Sequence, residues 1–366
     1  MRLASVRLHN IGVFEDTTVH LADGGPPDGD AEDATETRTP RPVTVLFGGD
    51  GIGKTTLLTA LAVTRPGYAL PPAPYPRTPG VSGAAPEGPA FVVTEWFLGV
   101  DDPDRPHPLV VASPTTVLEG EATDAAGSRR REQALFDRRA QGEGGFVFVG
   151  FSGARWFSRA ANMLTTPERS ILRYDVRSPA SFDDPTRADL TRETKQVLAY
   201  AAIARALAGE SAKYTHLVQF DIALREVIDV FLAPFGFMYA GVSPTSLEPE
   251  ATDPTGRVVG FDALPRPARH LVAFGALTLR ALFAAYPYAE EPRECEGVVA
   301  IDDIESQQDP ALLRILVPLL RRALPNVQWI LTTSSTQLAM ACAPNEVVTL
   351  RRNEATRIEV GEGILH

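Results

Sequence analysis

A glycine-rich segment between an apolar run and a helix-forming stretch carries the pattern G-x-x-x-x-G-K-[ST]. It spans residues 48–56 and directly follows the apolar run 43–47. This order predicts a buried strand, a loop whose backbone N–H groups converge on phosphate oxygens, and a helix whose positive end faces the same anion. A chance glycine turn is the alternative, and the flanking strand and helix patterns argue against it. The residues of the predicted phosphate site are Gly48, Gly49, Asp50, Gly51, Ile52, Gly53, Lys54, Thr55 and Thr56.

Two polar residues of this segment, Lys54 and Thr55, suit parts of a magnesium nucleoside triphosphate. We predict that Lys54 neutralises the β- and γ-phosphates and that the Thr55 hydroxyl binds Mg²⁺. No Asn-Lys-x-Asp guanine signature occurs in the chain, so the predicted ligands are ATP and Mg²⁺.

A pair of aspartates follows a second apolar run and could complete the site. Asp302 and Asp303 come directly after the run 297–301, which is apolar on both faces and predicts a central parallel strand. We predict that Asp302 holds the metal through water and that Asp303 orients the water that attacks the γ-phosphate. The alternative is an acidic turn that merely closes a core strand. A further predicted strand, 327–333, is followed by Ser334. Polar groups therefore follow all three predicted strands, 43–47, 297–301 and 327–333.

Composition limits the class of protein. The 366 residues carry a formal net charge of −11, which argues against a chain that coats nucleic acid by bulk charge, although DNA binding at a local groove stays open. No apolar leader or uninterrupted apolar run of membrane-spanning length is evident, so we expect a cytoplasmic protein without a membrane segment. The two cysteines, Cys295 and Cys342, are too few for a disulfide framework.

The chain divides into three predicted parts. Residues 1–90 form the first half of the nucleotide-binding core, residues 91–255 an inserted, mainly helical subdomain, and residues 256–366 the second half of the core. An opening hairpin is expected over residues 3–21, exposed insertions at 22–42 and 65–90, and a closing hairpin over 347–360. The remaining predicted elements are strands at 91–97, 109–112 and 145–150, helices at 189–208 and 215–232, and a helix that begins at Asp309-Pro310.

Taken together, the opening hairpin, the glycine-rich loop, the segment 299–310 and the segment 329–335 resemble the ABC-type ATPase heads of the RecF, SMC and OLD-like group. The resemblance covers roughly residues 1–62 and 260–350. It implies an α/β P-loop NTPase fold with a mixed, largely parallel sheet, an N-terminal antiparallel β-hairpin and a mainly helical inserted subdomain. It also implies that Asp302 is the Walker B residue, that Asp303 takes the place of the catalytic glutamate, and that Ser334 takes the place of the switch histidine.

The sequence departs from the family pattern at three places. Asp303 is one methylene shorter than glutamate, which withdraws its carboxylate by about 1.5 Å. Ser334 can donate a hydrogen bond to a γ-phosphate but cannot carry charge as histidine can. The segment 264–271, where the signature motif is expected, contains two prolines, and proline offers no N–H to a phosphate. Either Arg266 or Arg269 substitutes as a cation, or the shared site between two heads is weak, and we therefore expect slow hydrolysis.

The leading functional hypothesis is an ATPase head that couples ATP binding and slow hydrolysis to dimerisation with itself or a related head. Few residues follow Ser334, so we expect the effector to be a separate chain. By resemblance, the setting is bacterial anti-phage defence or DNA maintenance. The alternative is a nucleotide-gated scaffold that hardly hydrolyses ATP, and a P-loop kinase or GTPase is a third, weaker hypothesis. The loop residues Arg155, Trp156 and Arg159 are further candidates, because they follow a predicted strand at the ligand edge of the sheet.

Overall fold

The computed structural model describes residues 2–23, 39–66, 90–97, 109–113, 122–143, 145–163, 182, 188–209, 214–287, 289–354 and 357–364. The strands are β1 Arg2–Ile11, β2 Phe14–His20, β3 Ala22–Asp23, β4 Thr39–Pro40, β5 Val43–Phe47, β6 Phe91–Phe97, β7 Leu109–Ser113, β8 Phe148–Phe151, β9 Met238–Val242, β10 Pro249–Thr252, β11 Val258–Gly260, β12 Gly297–Ile301, β13 Val327–Thr333, β14 Val347–Arg352 and β15 Ile358–Glu362. The helices are α1 Lys54–Val63, α2 Ala125–Glu143, α3 Thr191–Ala208, α4 Thr215–Leu232, α5 Arg266–Ala285, α6 Pro310–Leu313, α7 Leu316–Ala323 and α8 Thr336–Ala341.

A six-stranded sheet in the order β15-β14-β5-β13-β12-β8 forms the centre of the described structure. The strands β14, β5, β13, β12 and β8 run parallel, and β15 returns antiparallel at one edge. Every residue of β12 is buried, because both of its faces are covered. The carboxyl ends of β5, β12 and β13 therefore lie side by side at one edge of the sheet, where ligands bind in open α/β sheets.

A second sheet covers one face of the central sheet. Its order is β2-β1-β6-β7, and each neighbouring pair is antiparallel. Alternate side chains of the central strands point to this face, among them Val298 and Ala300 of β12. They pack in one apolar cluster with Leu57 and Leu61 of α1 and with Trp96 of β6. The helix that follows the glycine-rich loop is thus held between the two sheets.

Helices α3, α4 and α5 cover the opposite face. Val299 and Ile301 of β12 point to this side and belong to the same apolar cluster as the buried face of α4. The two helices α4 and α5 approach closely at Gly275, where an added Cβ would lie 2.6 Å from Val227 Cγ1. Helix α5 has the length and apolar composition of a membrane span, but 83% of its apolar window is buried in the protein, which fits a core helix equally well.

Several predicted elements are present with shifted bounds. The strand expected at 145–150 begins at Phe148, and the charged stretch before it forms helix α2, which was not predicted from the sequence. The helix expected after Asp309 is divided into α6 and α7. Asp309 does cap α6, since its Oδ1 accepts from the Ala311 N–H at 2.7 Å.

The predicted division into 1–90, 91–255 and 256–366 does not follow the strand pairing. Strands β6 and β7 pair within the sheet that begins with β1, and β8 pairs with β12, so three strands of the predicted insertion belong to sheets built by the rest of the chain. The described helices of that region are α2, α3 and α4, and it also contains β9 and β10 of the small sheet β11-β10-β9. Most of the predicted insertions at 22–42 and 65–90 lie outside the described residues.

Candidate functional site

The glycine-rich loop connects β5 to α1 as the sequence predicts. Gly48 donates its N–H to the carbonyl of Thr333, the last residue of β13, at 3.2 Å. Gly51 and Gly53 have φ values of 70° and 94°, a region that favours glycine. At Gly53 an added Cβ would also lie 2.6 Å from Val13 Cγ2 in the opening hairpin. The hairpin therefore supports the loop from behind and fixes where α1 begins.

Lys54 is the first residue of α1, and its side chain turns back over the loop. It is 7% exposed, and its Nζ donates to the carbonyls of Gly48 at 2.7 Å and Gly49 at 2.9 Å. No acidic residue occupies the first turn of α1. The Lys54 ammonium and the positive end of the α1 dipole thus lie at the same loop. Both would attract the negative charge of a phosphate group.

Thr55 and Asp302 are in direct contact although 247 residues separate them in the chain. The Thr55 hydroxyl donates to Asp302 Oδ2 at 2.8 Å. Asp302 is 4% exposed, and its Oδ1 accepts from the Thr332 hydroxyl at 2.6 Å. The structure therefore brings the two predicted metal-binding residues together at the amino end of α1.

Asp303 lies beside this pair with its side chain exposed. Its φ is 43°, a left-handed conformation that aspartate tolerates better than most residues. An added Cβ on Gly153 would lie 3.0 Å from Asp303 Oδ2 and 3.3 Å from Asp302 Oδ2, so the absence of a side chain there gives both carboxylates room. Partial burial, followed by the negative charges of Asp302 and Glu305, raises the pKa of Asp303.

Ser334 lies at the end of β13 and is held by a residue outside the predicted set. Glu305 Oε1 accepts from the Ser334 N–H at 2.6 Å and from the Ser334 hydroxyl at 2.9 Å. The next residue, Ser335, caps α8. The Ser334 hydroxyl, which we predicted to donate to a γ-phosphate, therefore donates to the Glu305 carboxylate in this structure.

The other residues of the predicted phosphate site have different surroundings. Ile52 is 7% exposed and packs in the apolar cluster beneath the loop. Thr56 contacts the turn of the opening hairpin, where an added Cβ on Gly12 would lie 2.8 Å from Thr56 Cγ2. The side chain of Asp50 is exposed at the tip of the loop. From these three positions, therefore, the backbone is better placed than the side chains to reach a phosphate.

Arg155 is a buried support of the site, with 0% exposure. Its guanidinium donates to the carbonyl oxygens of Asp302 at 2.6 Å and Asp303 at 2.9 Å, and also to those of Ser152, Ile304 and Ser306. Burial lowers the pKa of Arg155 to about 10, against the opposing effect of the nearby carboxylates. Arg155 was a candidate because it follows a predicted strand. Its side chain instead turns inward and holds the loop that carries both aspartates, which the sequence did not indicate.

The segment 264–271 forms the start of α5, with Pro265 as the N-cap. Arg266 is exposed, and the Arg269 guanidinium lies 5.4 Å from the ring centroid of Phe157. Burial lowers the pKa of Arg269, and the positive charges of Arg266 and Arg159 add to this effect against Asp262. The proline-containing segment therefore forms the start of a helix, and its first turn carries Arg266 and Arg269.

Comparisons with known proteins identify the fold. No family model matches the sequence, and no curated protein matches it. The SMC head domain from Thermotoga maritima is similar in structure, with a TM-score of 0.50 at 15% identity and with 100% of each chain covered. The Smc head domain with an extended coiled coil, bound to the C-terminal domain of ScpA and derived from Pyrococcus furiosus, gives a TM-score of 0.48 at 13% identity, covering 100% of this chain and 96% of that one. An SmcHead bound to the C-winged helix domain of ScpA gives 0.46 at 12% identity, covering 99% and 98%.

At these identities the likeness shows the fold alone. The chain has the mixed α/β fold of an SMC head domain, with a largely parallel sheet and an antiparallel hairpin sheet, and the predicted fold class is confirmed. The narrower assignment to the RecF or OLD-like subtype stays a prediction.

Proposed function

We propose that this chain is an ABC-type ATPase head that binds ATP with Mg²⁺ and hydrolyses it slowly. The observation that carries the proposal is the 2.8 Å hydrogen bond between the Thr55 hydroxyl and Asp302 Oδ2. It places a hydroxyl from the start of α1 and a carboxylate from the end of β12 beside a loop suited to phosphate.

The chemistry of this pair fits Mg²⁺. The Thr55 hydroxyl and the Asp302 carboxylate both offer oxygen, the type of ligand that Mg²⁺ prefers. With Asp302 holding the metal through water, the site leaves room for water and phosphate oxygens. When bound, Mg²⁺ would neutralise charge on the phosphates. Asp302 is already oriented for this role by the Thr332 hydroxyl, which donates to its other oxygen.

The remaining residues then have assigned roles. Lys54 exchanges its contacts with the Gly48 and Gly49 carbonyls for the β- and γ-phosphates, while the loop N–H groups bind the same oxygens. Asp303 orients the attacking water, and Ser334 donates to the γ-phosphate. The short side chain of Asp303 is the reason that we propose a slow reaction.

We further propose that two heads close on the nucleotide, as a homodimer or with a related head, and that closure controls a separate effector chain. Arg266 or Arg269 would then provide the cation for the partner's γ-phosphate that the prolines of this segment cannot supply through N–H groups. By resemblance to single-head members of the group, the proposed setting is a cytoplasmic complex in bacterial anti-phage defence or DNA maintenance.

Calorimetric titration with ATP in the presence of Mg²⁺ or EDTA tests the binding site. We expect Thr55→Val to abolish the Mg²⁺-dependent part of the ATP affinity, because a methyl group replaces the metal-binding oxygen. Thr59→Val is the matched control, since Thr59 lies one turn further along α1 and its hydroxyl donates to the Thr55 carbonyl. Absence of heat with the unmodified protein would overturn the proposal.

The alternative is a scaffold that binds ATP, assembles and hardly turns over, which the altered Asp303 and Ser334 favour. Steady-state hydrolysis by Asp303→Glu separates the two hypotheses. A large gain identifies a weakened catalyst, whereas no hydrolysis by either protein identifies the scaffold. Mass measurement with ATP, Mg²⁺ and a DNA duplex tests assembly, and a monomer under every condition would contradict both.

A further inference from the structure

Glu305 and Ser334 connect two loops that follow neighbouring strands. Glu305 lies in the turn after β12, and Ser334 directly follows β13. One carboxylate oxygen, Oε1, accepts both hydrogen bonds, at 2.6 Å from the backbone N–H and 2.9 Å from the hydroxyl. The contact, which we call the clasp, therefore joins the turn that carries Asp302 and Asp303 to the end of β13 through two hydrogen bonds.

This clasp lies next to the glycine-rich loop. The residue before Ser334, Thr333, accepts the N–H of Gly48 at 3.2 Å. On the other side, the Ile304 N–H donates to the Thr332 carbonyl at 3.0 Å, which holds the turn of Glu305 against β13. Ser334 is thus one residue away from a backbone contact with the phosphate loop.

The clasp uses every hydrogen that Ser334 can donate. A serine has one hydroxyl hydrogen and one backbone N–H, and both are directed at Glu305 Oε1. Ser334 therefore cannot donate to a phosphate while the clasp is intact. The second oxygen of Glu305, Oε2, is buried without a hydrogen-bond partner among the described residues, so the carboxylate would regain hydration on release.

We propose that Glu305 is a positioning residue that occupies Ser334 in the nucleotide-free protein, and that a γ-phosphate must displace it in order to bind Ser334. The inference rests on the proposed ATP site. It predicts that Glu305 lowers the affinity for nucleoside triphosphate and leaves the affinity for ADP unchanged, because ADP has no group that competes for Ser334.

The test compares the dissociation constants of ADP and a non-hydrolysable ATP analogue, each with Mg²⁺, for the full chain and its variants. We expect Glu305→Ala to bind the analogue about tenfold more tightly, as loss of one or two charge-assisted hydrogen bonds implies. Glu305→Gln retains an acceptor oxygen without the charge, so its gain should be smaller. Glu290→Ala is the matched control, because Glu290 is exposed and precedes the amino end of β12, away from the site.

A Ser334→Ala background separates the clasp from simple charge repulsion. Glu305→Ala should raise the affinity for the ATP analogue less when the Ser334 hydroxyl is absent. The change in the logarithm of the dissociation constant should fall by at least half. An undiminished gain, or an equal gain for ADP, would overturn the inference. If the unmodified protein bound neither nucleotide, the proposed function itself would fail, whereas normal ATP binding with no effect of Glu305→Ala would refute only the clasp.

Discussion

Arg155 donates from Nη1 to the backbone carbonyl of Asp302 at 2.6 Å, across 147 residues of chain. The same guanidinium reaches the carbonyl of Asp303 at 2.9 Å, so one buried side chain sets the backbone position of both carboxylates. The planar guanidinium has five N–H donors, so it can donate to several carbonyl oxygens of one turn at the same time.

We predict that Arg155→Lys destabilises the protein by about 3 kcal/mol or more, because an ammonium cannot replace the fork and buried carbonyls lose their partners. Denaturant unfolding followed by circular dichroism measures the loss. Arg159→Lys is the matched control, since Arg159 is exposed, and it should unfold like the unmodified protein. Equal stability of the two variants would contradict a supporting role for Arg155.

Gly153 should be required for catalysis more than for folding. An alanine there would place its Cβ 3.0 Å from Asp303 Oδ2, so the carboxylate must shift. We predict a fall in the hydrolysis rate of about tenfold or more with a much smaller change in ATP affinity, because displacement of the proposed water-orienting carboxylate by a fraction of an ångström would mainly affect the chemical step.

Single-turnover kinetics and calorimetry together measure this difference for Gly153→Ala. Gly260→Ala is the control, because no atom lies within 4 Å of an added Cβ at Gly260. A parallel loss of binding and rate would instead indicate that the whole site had collapsed.

The parts of the candidate site that could be predicted from sequence are those set by short stretches of chain. A buried run, a glycine-rich loop and a helix start are local patterns, and they located Lys54 and Thr55. Asp302 was predictable because parallel strands end at one edge of a sheet. Its contact with Thr55 then depends only on β5 and β12 lying close together, which they do with β13 between them.

The supporting contacts could not be predicted, because they depend on the order of the strands. Arg155 reaches the Asp302 carbonyl only because β8 is the neighbour of β12, and no local pattern in the sequence encodes that pairing. The contact of Glu305 with Ser334 likewise joins loops 29 residues apart that face each other only in the folded protein. Helix α2 was missed because its charged sequence lacks an apolar stripe.

Gly53 should be far less tolerant of substitution than Gly49. An alanine at Gly53 would keep a φ of 94° and place its Cβ 2.6 Å from Val13 and 2.8 Å from Phe14. We predict a loss of about 2 kcal/mol or more for Gly53→Ala from backbone strain and overlap. At Gly49 no atom lies within 4 Å, so Gly49→Ala should unfold within a degree or two of the unmodified protein in thermal melts. Similar melting temperatures for both variants would show that the hairpin does not support the loop.

His270 should make the protein less stable in mild acid. The side chain is 0% exposed, and Nδ1 lies 3.0 Å from the Arg266 carbonyl, which can only accept, so Nδ1 carries the hydrogen of a neutral imidazole. Burial, with the positive charges of Arg155, Arg269 and Arg266, lowers the pKa of His270 to about 3. The unfolded chain takes up the proton first, near pH 6.5, so the stabilisation is present above that pH and is lost as the pH falls towards 3.

Protonation of His270 in the unfolded chain lowers the free energy of unfolding by about 2 kcal/mol between pH 7 and pH 5. Denaturant unfolding at both values should therefore show a smaller pH dependence for His270→Gln, which retains a donor for the Arg266 carbonyl but does not titrate. His216, whose side chain is exposed, supplies the matched His→Gln control for the substitution itself, and the variant should unfold like the unmodified protein at pH 7. If His270→Gln kept the same pH dependence as the unmodified protein, the acid sensitivity would have to arise from groups other than this imidazole.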